Sequence, residues 1–123
     1  MNDEIKLKIN SALSSFIESN VKNAHIEIED LGIRLYLRNT TRYVDNKFLH
    51  TFDLATIDID EENQNKGYGS QVVKQMIQVA IKYKLEAVFI EGVLSENMLR
   101  IVEKTRFKLN NDTSNSNYFT LTR

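Results

Sequence analysis

Apolar residues recur at helical spacing over residues 4–19, where Ile5, Ile9, Leu13 and the pair Phe16–Ile17 are separated by Lys6, Asn10 and Ser14. That spacing predicts an amphipathic helix, with Asn20 as its stop. The period falls to two over residues 24–30, with Ile26 and Ile28 facing one way and His25, Glu27 and Glu29 the other. Leu31–Gly32 makes a turn and residues 33–38 alternate again, so the two runs read as a hairpin. Asp45–Asn46 marks a second turn. Residues 48–60 follow as a long strand carrying Phe52, Leu54, Ile57 and Ile59. Its phase slips near Leu54–Ala55, the mark of a bulge.

The pattern changes again at Gln64. Residues 70–84 read as a helix, with Val72–Val73, Met76–Ile77 and Ala80–Ile81 on one stripe. Residues 87–90 are apolar without interruption and short enough for a buried central strand. Residues 95–104 read as another amphipathic helix, and residues 107–109 and 118–121 as the last two strands, flanking a polar run at 110–117. No repeat or linker interrupts the chain. The expected architecture is one α/β (α+β) domain over residues 1–123, in the order α-β-β-β-α-β-α-β-β.

Composition narrows the chemistry. The chain has 123 residues, 41% hydrophobic and 27% charged, which excludes disordered, collagen-like and coiled-coil classes. Sixteen basic residues against 17 acidic leave a formal charge of −1, so no overall field draws the chain to nucleic acid or a membrane. Cysteine is absent, which removes disulfides, thiolate nucleophiles and cysteine-ligated metals. The two histidines, His25 and His50, are too small a stock for a histidine metal site or a Ser-His-Asp triad, so no metal is expected. The acidic start Met1–Glu4 lacks the form of a signal peptide. No apolar run reaches the roughly 18 residues that a membrane helix needs. The expectation is a cytoplasmic protein without a membrane partner.

The informative stretch is Ile57-Asp-Ile-Asp-Glu-Glu-Asn-Gln64-Asn65-Lys66-Gly67-Tyr68-Gly69-Ser70. Two glycines before a helix let the backbone approach an anion closely. The first amides of that helix have no internal partner and lie at the positive end of its dipole. Together they suit a phosphate or pyrophosphate, with Lys66 adding charge. A plain glycine-containing turn is the alternative reading. A Walker A loop fails because Lys66 precedes the glycine, a Rossmann fingerprint fails at Val72, and an EF-hand fails at Asn63 and Gly69.

Gln64-x-x-Gly67-x-Gly69, after a strand and opening a helix, resembles the (Arg/Gln)-x-x-Gly-x-(Gly/Ala) motif of the GNAT superfamily of acetyl-CoA-dependent N-acetyltransferases, its histone-acetyltransferase branch in particular. The resemblance spans residues 47–109. It implies a mixed, mostly antiparallel sheet of about six strands flanked by helices, acetyl-CoA as co-substrate, and direct attack by an amine in a ternary complex. The amides from Asn65 to Ser70, which include Lys66, Gly67, Tyr68 and Gly69, would hold the pyrophosphate. The main chain at Ile57 and Ile59 would pair with the pantetheine arm, in a gap where the family's fourth and fifth strands, here 48–60 and 86–91, splay apart. Ser95 falls where the family has an asparagine. Val102 falls where many members place a tyrosine that protonates the leaving thiolate, leaving that role to water, Tyr68 or Tyr118. Arg106 replaces a glycine.

The attacking amine must lose a proton. The histone-acetyltransferase branch uses a glutamate on its fourth strand, and counting back from the glycines puts Asp53 in that place. Glu91, at the end of the buried strand, is the second candidate, ahead of Asp58, Asp60 and His50. The function implied is acetyl transfer to an amine acceptor, a small molecule or a protein, with a homodimer as a possible assembly. Val102 and Arg106 favour a second reading, a silent domain that binds acyl-CoA or a protein. A third is a nucleic-acid module built on Arg34, Tyr36, Arg38 and Arg42, which share one strand face. Pairing of those arginines with Glu27 and Glu29 across the hairpin is the plainer account.

Overall fold

The computed structural model describes residues 2–44, 46–91, 100, 108–109 and 117–120. Helix α1 spans Asp3–Glu18 and begins where the Asn2 side chain accepts from the amides of Glu4 and Ile5 at 2.7 and 3.1 Å. Such a cap satisfies two of the orphan donors that open a helix. Asn20, at φ 59°, turns the chain out of it. Strand β1 covers Asn23–Ile28 and stops short of the expected end, because Glu29–Leu31 coils into one 3-10 turn. Gly32 follows at φ 63°, in the left-handed region that favours glycine, and a Cβ there would have to push aside the Asp60 side chain, whose Oδ2 would lie 2.5 Å away.

Strand β2 runs over Ile33–Val44, longer than the alternation at 33–38 indicated. Its second half carries Thr40, Thr41, Tyr43 and Val44, side chains that favour a pleated backbone without making a hydrophobic stripe. Strand β3 covers Lys47–Ile59 and helix α2 Tyr68–Lys82. Strands β4, β5 and β6 cover Ala87–Ile90, Lys108–Leu109 and Asn117–Thr120. The expected helix at 95–104 lies outside the described residues.

The sheet order is β1-β2-β3-β4-β6-β5, and all its pairs are antiparallel except β3 with β4. This is the expected mixed, mostly antiparallel sheet. The slip expected at Leu54–Ala55 is present. Leu37 faces Leu54 but Tyr36 faces Thr56, so Ala55 is the extra residue. The bulge moves the inward positions from Phe52 and Leu54 to Ile57 and Ile59, and both pairs pack on the same core. In that core Leu35, Leu37, Phe52 and Leu54 meet Ile9, Leu13 and Phe16 of α1 and Val72, Val73 and Met76 of α2. The opposite sheet face carries a smaller cluster of Val44, Leu49, Ala87 and Phe89. No helix among the described residues is long and apolar enough to cross a membrane.

Candidate functional site

The site begins where β3 and β4 part. Their parallel pairing runs from Thr51↔Ala87 to Leu54↔Ile90, and its last bond is from Glu91 N to Leu54 O, 2.9 Å. Residues 55–59 then keep β2 on one side and no strand among the described residues on the other. Ahead of the bulge, the even-numbered His50 and Leu54 turn their carbonyls toward the β4 side, accepting from Glu86 N and Glu91 N. After it the parity is reversed. Asp60 N donates to Gly32 O at 2.9 Å, so residues 56, 58 and 60 face β2. The peptide groups of Ile57 and Ile59 therefore face the gap. The end of the β4 pairing leaves this side of β3 as a row of strand donors and acceptors without a described partner, and the extra residue makes Ile57 and Ile59 the ones that face it.

The gap leads to the start of α2. Glu61–Asn63 forms a 3-10 turn, Asn65 sits at φ 64°, and Gly67 caps the helix at φ 81° without a side-chain cap bond. The first helical bond is from Gln71 N to Gly67 O, 3.1 Å. The amides of Tyr68, Gly69 and Ser70 consequently have no helical acceptor, and they carry the positive end of the dipole. Lys66 is exposed and reaches Asn63 Oδ1 at 3.2 Å. Gln64 is used within the loop, donating from Nε2 to Ile59 O at 3.0 Å. The Tyr68 side chain is packed in the core cluster. Ser95, Val102, Arg106 and the side chain of Tyr118 lie outside the described residues.

Asp53 and Glu91 meet on the sheet face opposite the helices, at the point of the fork. Arg42 joins them. It donates from Nε to Asp53 Oδ2 at 3.0 Å and from Nη2 to Glu91 Oε1, Nη2 also lies 2.9 Å from Asp53 Oδ2 as an ion pair, and its guanidinium lies 4.4 Å from the centroid of the Phe89 ring. Arg38 Nη1 donates to both oxygens of Glu91 at 2.8 and 2.7 Å. Both Glu91 oxygens are thus taken. Asp53 is fully buried, and its Oδ1 has no partner among the described residues. Burial raises the Asp53 pKa above the usual aspartate value, and the Arg42 charge opposes that rise without cancelling it.

The other candidate acids stand apart. Asp58 and Asp60 both accept from Arg34 Nη2, at 2.7 and 2.8 Å. His50 contacts Asn39 Oδ1 through Nε2, and its amide donates to Glu86 Oε1 at 2.9 Å. The arginines therefore pair with acids of β3 and of the residue after β4, and not with Glu27 and Glu29 as the hairpin suggested. Arg34 lies across from Glu27 in register, yet its guanidinium reaches the other way. Counting from the turn at Asn46 carries part of the signal, since past the bulge it sets Arg34 opposite Asp58; Arg42 reaches Asp53 on a diagonal, and Arg38, opposite Asp53 in register, bonds Glu91 instead.

No protein-family model and no curated protein sequence matches the chain. Solved structures do. A GNAT-family acetyltransferase from Listeria monocytogenes 4b F2365 superposes with a TM-score of 0.61 at 12% identity, over 98% of this chain and 92% of that one. A Bacillus subtilis acetyltransferase in complex with CoA gives 0.57 at 18% identity, over 99% and 94%. A variant of the toxin AtaT, bound to acetyl-CoA and the C-terminus of the antitoxin AtaR, gives 0.55 at 18% over 72% of this chain; the match spans only 57% of the toxin. The fold of this chain is that of the GNAT acetyltransferases.

Proposed function

We propose that the chain transfers an acetyl group from acetyl-CoA to an amine, carried by a small molecule or a protein. The observation that carries this reading is the fork. An open strand edge at Ile57 and Ile59 runs from two carboxylates, Asp53 and Glu91, to a glycine-capped helix start. These parts suit an extended thioester with an anionic end. The peptide groups of Ile57 and Ile59 would pair with its amide-bearing arm, as one strand pairs with another. The free amides of Tyr68, Gly69 and Ser70, with Lys66 beside them, would hold its pyrophosphate, as Asn65 and Gly67 shape the turn. Acetyl-CoA, when bound, supplies an activated carbonyl and a good leaving group. CoA or acetyl-CoA in two of the neighbouring structures supports that donor.

The acceptor nitrogen attacks the thioester carbonyl, the C–N bond forms, and the C–S bond breaks with its electron pair leaving on sulfur. The proton from nitrogen passes through a bridging water to Asp53, whose buried Oδ1 has no partner among the described residues. Arg38 and Arg42 hold Glu91 beside it, and Glu91 orients the acceptor. Water protonates the thiolate. A second reading, a domain that binds acyl-CoA without turnover, draws on Arg42, because a carboxylate paired to a guanidinium is a weaker base.

Thermal unfolding with and without acetyl-CoA tests the binding half. Ligand at 100 times its Kd stabilises a fold by about 2.7 kcal/mol, which raises Tm by several degrees. Gly69→Glu, which sets a carboxylate among the free amides, should abolish that rise; a rise that survives it removes the pyrophosphate from this turn. Turnover on a panel of amines separates the two readings. Asp53→Asn should lower kcat by about 100-fold or more with coenzyme affinity kept. Binding without turnover on every amine selects the silent domain.

A further inference from the structure

Charge at the fork balances among the described residues. Asp53 and Glu91 bring two carboxylates, and Arg42 and Arg38 bring the two guanidiniums that bond them. Neither acid is left waiting for a cation. Arg38 Nη1 and Arg42 Nη2 together engage both oxygens of Glu91, whose side chain is 18% exposed. Asp53 Oδ2 accepts from Arg42, and its Oδ1 is buried. Arg42 in turn lies against the buried Phe89 ring, which keeps water from its other face. The next acid along this sheet face, Asp58, belongs to Arg34, which stands four residues from Arg38 on β2, about 13 Å along the strand. Asp58 is exposed, so water screens it from the fork.

That balance bears on which amines can react there. An amine attacks a thioester through its lone pair, so only the neutral form is competent. At pH 7 an α-amino group, with an ordinary pKa of about 7.7–8.0, is neutral in roughly one molecule in ten; a lysine ε-amine, at about 10.4, is neutral in roughly one in a few thousand. A site that serves the ε-amine gains by holding its ammonium beside a carboxylate in surplus and drawing off the proton. The fork has no such surplus. An incoming ammonium would meet two guanidiniums and would have to displace one of them from a place with little water. A neutral amine carries no charge and meets no such cost. We propose that the acceptor is a weakly basic amine, the α-amino group of an amino-acid derivative or a peptide, and that Arg38 and Arg42 turn away the ammonium of a lysine side chain or a polyamine. This specificity rests on the acetyl-transfer reading. Attack makes the nitrogen cationic and acidic. Only then does a carboxylate held by a guanidinium, a weak base, receive the proton through water, as the C–S bond breaks with its electron pair on sulfur.

A short peptide amide with a free N-terminus and one lysine offers both nitrogens at once, and mass spectrometry locates the acetyl group. With acetyl-CoA at pH 7 the native chain should acetylate the α-nitrogen about 100-fold more often than the ε-nitrogen, or better. Arg38→Gln leaves one negative charge in surplus at the fork and should lower that ratio by about tenfold. Arg38→Lys keeps the charge and should keep the ratio. If Arg38→Gln does not fold, the pH dependence of the native chain decides. Its ε-acetylation should rise about tenfold per unit from pH 7 to pH 9, following the neutral ε-amine, while α-acetylation levels off above about pH 8. Preference for the ε-nitrogen, a ratio that Arg38→Gln leaves unchanged, or an ε-rate that is flat across that range would each overturn the proposal and leave acetyl transfer standing. A chain whose Tm rises with acetyl-CoA and which acetylates neither nitrogen would overturn the transfer reading, and this specificity with it.

Discussion

Arg34 and Arg42 stand on one face of β2, and each holds a carboxylate of β3, yet the two pairs live in different media. The Arg42 side chain is 16% exposed and that of Asp53 is fully buried, whereas Arg34 and Asp58 are 41% and 70% exposed. Water screens the outer pair and competes for its hydrogen bonds, so the geometry there reports little energy. At the fork the same chemistry is enforced, because a charge left alone in that place has no water to turn to. An ion pair therefore describes two different devices in this fold: a surface ornament beside Gly32, and a fixed electrostatic element where β3 and β4 diverge.

Arg42→Ala should break this contrast most strongly. It leaves Asp53 buried without its cation, at a cost of about 3 kcal/mol, which lowers Tm by roughly 10 °C in calorimetry. That loss should shrink as pH falls. Burial raises the Asp53 pKa in the folded state, so the folded chain prefers the neutral carboxyl. Stability associated with that proton is present at low pH and is lost as pH rises through the raised pKa. A Tm deficit that is the same at neutral and acid pH would show that Arg42 acts only by packing on Phe89.

The rate gives a second, smaller contrast. If Asp53 is the base, kcat/KM falls on the acid side at a pH above the usual aspartate range, since only the ionised carboxylate accepts the proton. Arg42→Gln removes the opposing positive charge and should move that limb to still higher pH. A limb that stays in place would take Asp53 out of the role. Arg34→Ala is the smallest case. It should leave Tm and the rate profile unchanged, and a marked loss would mean that the outer pair is not screened as its exposure indicates.

The features read from the sequence are those that repeat or punctuate. Two-residue alternation located β1 and β3, a doubled apolar stripe located α2, and the broken phase at Leu54–Ala55 located the bulge. The turn at Gly67 was legible because a left-handed residue ahead of a helix leaves a glycine in the text. The second half of β2 was not, because Thr40–Tyr43 extends the strand with side chains that form no apolar stripe. The arginine partners were missed for a different reason. A long guanidinium can reach either neighbouring strand, and the residue pattern alone does not say which way it turns. Gln64 belongs to the same class: the motif marks the residue, while its bond to Ile59 O depends on how the loop closes.

The bulge at Ala55 also governs where this chain can change length. Ahead of it, the β2–β3 hairpin can gain or lose matched pairs of residues at its Asn46 end, and everything from Asp53 onward keeps its face. After the bulge, Thr56↔Tyr36, Ile57↔Leu35 and Ile59↔Ile33 keep regular register, and Ala55 alone stands outside it. Removing Ala55 would let Thr56 follow Leu54 in regular register opposite Tyr36, with Ile57 and Ile59 still facing the core and only the local kink and twist lost. Length variation among homologues should therefore gather at the hairpin tip and at Ala55, the residue of β3 that has no partner on β2 between Leu54 and Thr56.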